Sequence, residues 1–175
     1  MEFLATFLFY AVCIFVLIAV HESGHYLAGL ALGIPAHQMQ IRLFTFPQHV
    51  ALRYGDRWVS PTDYDPYAET VWKHLTTTRR VYLFVAGGLL LETVFTIIVA
   101  VSLVQLGWTG LALAVLSLSL VMDASYLLVD MVMALRTGHA WGDFSGMWFL
   151  TKLPTALLVL VLLAPRAALV LWLMA

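Results

Sequence analysis

No charged side chain occurs between Phe3 and Val20, a run of 18 residues. A hydrocarbon core about 30 Å thick takes about 20 helical residues to cross. Within it every backbone N–H and C=O must find a partner inside the protein, which leaves helices or closed barrels as the spanning structures. Four stretches qualify as spanning helices: about 3–32, 81–106, 111–135 and a last one within 149–175. Pro154, Pro165 and Arg166 interrupt the last, and Arg166 either snorkels to an interface or pairs inside the bundle. The first run is too long for a signal-peptide core of about 7–15 residues and lacks a basic leader, so it reads as a retained span.

Composition agrees with this reading. The chain is 62% hydrophobic and 11% charged, whereas soluble domains are about 45–50% apolar and about 25% charged. The expected fold class is an all-α polytopic membrane protein. It has about four transmembrane helices and a small cytoplasmic β-hairpin unit between spans one and two, all in one membrane-embedded domain, 1–175. A net charge of −1 gives no general pull toward nucleic acid. Cys13 stands alone, so no intramolecular disulfide forms and the redox compartment is not readable.

Eight of the nine Lys and Arg lie in segments 36–80 and 136–152, and the link Gly107–Gly110 has none. Basic loops stay cytoplasmic, which places both termini outside, in a plasma or inner membrane if the source is prokaryotic. At 1.5 Å per residue, His25 and His21 then lie roughly 11 and 17 Å above the cytoplasmic end of span one. Glu92 lies roughly 17 Å deep in span two, with Asp123 roughly 18 Å and Asp130 roughly 8 Å deep in span three.

Between spans one and two, HQMQIRL alternates Met39, Ile41 and Leu43 with polar residues, a strand period. Val50, Leu52 and Tyr54 continue it before Gly55-Asp56, a two-residue hairpin turn, and the unit covers about 37–60. Tyr67–Thr78 reads as a short surface helix.

The first span ends in VLIAVHESGHYLAGL. His21 and His25 are i and i+4 on one helix face, so both imidazoles can bind one divalent ion, with Glu22 beside the open position. Neutral imidazoles and N/O coordination favour Zn2+. Zinc lowers the pKa of bound water toward about 7, and Glu22 is then the general base. Three ionisable groups in a membrane helix cost enough to be functional candidates by default. The competing reading is a polar helix end facing water.

A first span ending in HESGHYLAGLALGIP resembles the site-2-protease family of intramembrane zinc metalloproteases. FVAGGLLLETVF, Phe84–Phe95, is similar to the glycine-rich start of that family's second span. The resemblance implies His21 and His25 as ligands, Glu22 as catalytic base and a third, aspartate ligand from a later span. The family's Asn-x-x-Pro…Asp-Gly string is missing here. Asp143 in GHAWGDFSGMW is the favoured ligand, because the breaks at Gly138 and Gly142 can re-aim a carboxylate. Asp130 and Asp123 remain alternatives, and a helix N-cap is the alternative role for Asp143.

Glu92 and Asp123 are candidates to accept a hydrogen bond from a ligand histidine's second nitrogen; Asp130 is a further candidate for such support. Protonated carboxyls bonded to a neighbouring helix are the competing reading for Glu92 and Asp123. Gly87-Gly88 suits close helix packing. His139 is a candidate oxyanion contact, against a plain loop histidine. His37, His49 and His74 read as solvated, and Trp108 and Trp172 as interface anchors.

The expected function is a zinc-dependent intramembrane endopeptidase. Its partners are the lipid bilayer and a transmembrane or membrane-anchored protein substrate, cleaved near the cytoplasmic leaflet and received as a strand by the β-unit. The rivals are a non-catalytic membrane adaptor with a vestigial metal site and, less favoured, a metal transporter or sensor. Oligomeric state, substrate and cleavage site are not legible.

Overall fold

The computed structural model describes residues 2–175. Among these residues, four helices are long and apolar enough to cross a membrane: α1 (Glu2–Ala31), α3 (Thr78–Gln105), α4 (Thr109–Thr137) and α6 (Lys152–Met174). By length and composition this is a multi-pass membrane protein. Between α1 and α3 lie three strands, β1 (Met39–Arg42), β2 (His49–Tyr54) and β3 (Arg57–Val59), then helix α2 (Tyr64–His74). A short helix, α5 (Asp143–Leu150), separates α4 from α6.

The strands form an antiparallel meander in the order β1-β2-β3, with Met39 opposite Leu52 and Tyr54 opposite Arg57. That last pair closes the Gly55-Asp56 turn, where Gly55 takes a φ of +59°, backbone that a Cβ disfavours. Met39, Val50, Leu52 and Val59 point into a core shared with Ile34, Val71, Leu75 and Phe84. Tyr54 departs from the expected alternation: it is exposed and donates to Glu69 across 3.1 Å. The surface helix starts three residues before the expected Tyr67 and ends at His74.

Helix α3 is the central post, packing against α1, α4, α5 and α6. Its start is tied to the end of α1 by Arg80, whose guanidinium donates to the Leu32 carbonyl at 2.7 Å, and Thr77 caps it by accepting from the Arg80 N–H. Gly24 in α1 and Gly87 in α3 face each other so closely that a Cβ on Gly87 would lie 2.6 Å from the Ala28 Cβ and 2.7 Å from the Gly24 carbonyl oxygen. Small residues let the two backbones touch at this crossing.

The expected last span loses its first residues to α5. Helix α6 runs unbroken past both prolines. Pro154 sits in the first turn, where no N–H is needed, and Pro165 is carried inside the helix. Helix α4 ends at Gly138, in left-handed backbone at φ +76°. The chain then turns back into the bundle, and this reversal positions the site.

Candidate metal centre

Because i and i+4 share a helix face, α1 presents His21 and His25 together, ring centroids 4.9 Å apart. Their Nε2 atoms lie 3.2 Å apart. Asp143 Oδ2 completes a triangle, 2.8 Å from the His21 Nε2 and 3.2 Å from the His25 Nε2. These three residues form a group able to hold a metal ion.

The opposite ring nitrogens decide what that triangle contains. His25 Nδ1 lies 3.0 Å from the Phe84 carbonyl oxygen, which only accepts, so this nitrogen carries the hydrogen. His21 Nδ1 faces Glu92 Oε2 at 3.0 Å and donates to the carboxylate. In neutral rings both Nε2 atoms therefore present lone pairs to a carboxylate oxygen. A cation among three acceptors at such distances, or a proton on one Nε2, relieves their mutual repulsion, and the three atoms are close enough to share one ion. Bonds of about 2.0–2.1 Å at tetrahedral angles would put ligand atoms about 3.3 Å apart. The observed 2.8–3.2 Å is close to one face of that tetrahedron.

Gly88 makes room for the rings: a Cβ there would stand 2.5 Å from His25 Nε2 and 2.7 Å from His21 Nε2. Its role beside the imidazoles is additional to the helix packing expected of the Gly-Gly pair. Glycine at that place left no local signal in the sequence, since the requirement comes from a different helix.

Asp143 reaches the histidines because α5 is held against α4. Asp130 accepts from the Ser145 N–H at 2.8 Å and from the Ser145 hydroxyl at 2.5 Å. Ser145 Oγ in turn accepts from the N–H groups of Trp141 and Gly142, 2.9 and 3.2 Å away. The Asp143 N–H donates to the Tyr126 hydroxyl at 3.0 Å. Tyr126 lies eleven residues before the end of α4, roughly 16 Å along the helix at 1.5 Å per residue. Asp143 is thus the first residue of α5, with Gly142 at the N-cap position, and also faces the imidazoles.

Asp130 itself stands outside the triangle, as the anchor of α5. Asp130→Ala should free the α5 start and weaken divalent-ion binding by about 10–100-fold, the range for removing a ligand's supporting partner. A Co2+ titration of purified protein measures this, and an unchanged affinity would refute the anchoring role.

Asp123 also stays apart from the triangle. It pairs with Arg166 of α6, a residue with no exposed surface. Of the two fates open to Arg166, pairing inside the bundle is the observed one. Of Glu92 and Asp123, Glu92 is the one that reaches the second nitrogen of a histidine, Nδ1 of His21.

The triangle opens into a cavity of about 530 Å³ that includes Glu22, Tyr67, Tyr126 and Trp141. Glu22 is buried and borders the same space as both imidazoles. Tyr67 donates to the Val50 carbonyl at 3.1 Å, and burial pushes its phenol well above the ordinary value, so it stays protonated. His49, expected to be solvated, lines this cavity from the start of β2.

His139, the candidate oxyanion contact, is not among the residues lining the cavity. It is exposed, its Nδ1 bonds the neighbouring Ala140 carbonyl at 2.9 Å, and its ring stacks on Tyr64 with centroids 4.7 Å apart. The left-handed turn at Gly138 directs it outward while Asp143, four residues on, turns inward.

Comparison with protein-family models, with curated proteins and with solved structures gives no match to this chain.

Proposed function

We propose that the chain is a zinc-dependent intramembrane endopeptidase of the site-2-protease type, cutting a membrane-protein substrate near the cytoplasmic leaflet. One observation carries this reading. Two imidazole nitrogens and a carboxylate oxygen converge, among helices of membrane-spanning length, beside a buried glutamate that none of them uses. A single shared proton would satisfy only one pair of these acceptors, whereas a divalent ion satisfies all three. Nitrogen and oxygen donors in a near-tetrahedral face suit zinc.

His21, His25 and Asp143 would hold the ion, which supplies a polarised carbonyl and an acidified water when bound. Glu22 takes the proton of the attacking water and returns it to the leaving nitrogen. Glu92 and the Phe84 carbonyl hold the two rings with their Nε2 atoms inward. The apolar walls around the acids limit water, so each charge acts at low dielectric. A helical substrate must unwind before its backbone reaches the ion, and edge strand β1 can receive it by main-chain pairing. The basic segments flanking the site support a cytoplasmic position for this chemistry.

Metal analysis of the purified protein by mass spectrometry tests the reading. Wild type is expected to carry one zinc per chain, and His21→Ala with His25→Ala none. No stoichiometric zinc in wild type would end the proposal.

A further inference from the structure

Helix α6 buries one charge. The Arg166 guanidinium is fully inaccessible, and a charged group inside a membrane bundle marks function more often than stability. Its Nη2 donates to the Asp123 carboxylate, its Nη1 to the Ser119 hydroxyl at 2.9 Å, and its Nε to the Leu162 carbonyl at 3.1 Å. These three bonds lock the planar fork in place. The Nη1 atom then stands 3.9 Å from Glu92 Oε1.

Glu92 divides its two oxygens unequally. Oε2 takes the His21 Nδ1 hydrogen, and Oε1 is buried with no hydrogen bond. The guanidinium is the cation facing that second oxygen. A line of charge therefore runs from α6 through Glu92 of α3 to His21 of α1. A buried ion pair such as Arg166–Asp123 is often replaceable by apolar residues without loss of stability, so fold stability alone gives little reason for it.

We infer that Arg166 is a positioning residue for the metal centre, acting on His21 through the Glu92 carboxylate, with Asp123 and Ser119 as its fixed mounts. The inference rests on the metal centre proposed above. Arg166 touches neither ion nor substrate; it holds Glu92 where the His21 Nδ1–H must point, and so keeps the His21 Nε2 lone pair on the triangle. Arginine suits the task because its rigid fork serves several acceptors at fixed angles, which a lysine ammonium does not.

The test uses full-length protein in detergent with Co2+ as the probe, read by its visible absorption and by competition against a chromophoric chelator. The double variant Asp123→Asn with Arg166→Met removes both buried charges together. It is expected to weaken Co2+ binding by about 10-fold or more and to shift the visible bands. Glu92→Gln should do the same. Combining all three substitutions should weaken binding no further than Glu92→Gln alone, because the pathway passes through that carboxylate. Arg166→Lys keeps the buried charge and the fold, and is expected to shift the bands with a smaller loss of affinity; it serves if the double variant does not fold. Wild-type affinity and spectrum in Arg166→Lys and in the double variant, or additive losses in the triple, would overturn the role of Arg166 alone. A wild-type protein that takes up no Co2+ would overturn the metal centre itself.

Discussion

If the chain is the zinc endopeptidase proposed, Glu22→Gln should retain bound zinc and lose about 10²–10⁴-fold in cleavage rate, the usual contribution of a positioned general base. The two outcomes separate because Glu22 is not a member of the triangle. It is one residue past His21 on the helix, about 100° around the axis, so its carboxylate borders the cavity while the imidazoles close on Asp143. Glutamine keeps the volume but cannot take a proton at neutral pH. Substrate identity is not needed in advance: membrane-protein termini can be compared between cells producing wild type and cells producing the variant. Fragments present only with wild type identify the substrate. Equal fragment yields from the two, with zinc in both, would remove catalysis and leave a metal-binding membrane protein.

Gly88→Ala should abolish the stoichiometric zinc expected of the proposed site while leaving the helices intact. An added methyl would meet both Nε2 atoms, at 2.5 and 2.7 Å, well inside contact distance. Rings with free rotation would simply swing away. These cannot, because the Phe84 carbonyl and Glu92 hold the far nitrogens at 3.0 Å each. Either the methyl displaces the rings and those bonds break, or α1 and α3 separate and the triangle opens. Alanine raises helix propensity by up to about 1 kcal/mol over glycine, so the α3 backbone itself gains. Gly87→Ala is the contrasting variant. Its Cβ meets Ala28 and the Gly24 backbone, so it wedges the crossing apart and is expected to lower the unfolding temperature as well. Wild-type zinc content in Gly88→Ala, measured by mass spectrometry, would show that the imidazoles are not held as described.

Much of the architecture follows from local pattern. Uninterrupted apolar runs define α1, α3 and α4 to within a few residues, since the bilayer sets the length and the backbone demands a helix. Gly55-Asp56 between alternating residues gives the hairpin with its observed pairing. The last helix was less legible because proline statistics describe helix interiors in water. Here Pro154 falls in a first turn, and Pro165 is tolerated inside an apolar bundle.

The site divides differently. The paired imidazoles are legible, since four residues of separation place two side chains on one helix face whatever surrounds them. Asp143 was readable only as a carboxylate after a glycine break. Its approach to His21 depends on Asp130 gripping Ser145 and on the Tyr126 hydroxyl receiving the Asp143 N–H. Neither bond has a sequence signature, because both join α4 to the start of α5 across a reversal.

What this sequence determines by itself is a set of helices, a hairpin and a two-histidine face, because hydropathy and periodicity act over one or two turns. Which acid meets that face, which glycine clears it and which arginine braces it were decided by packing. Those partners lie from 43 to 122 positions apart in the chain and are neighbours only once the bundle closes.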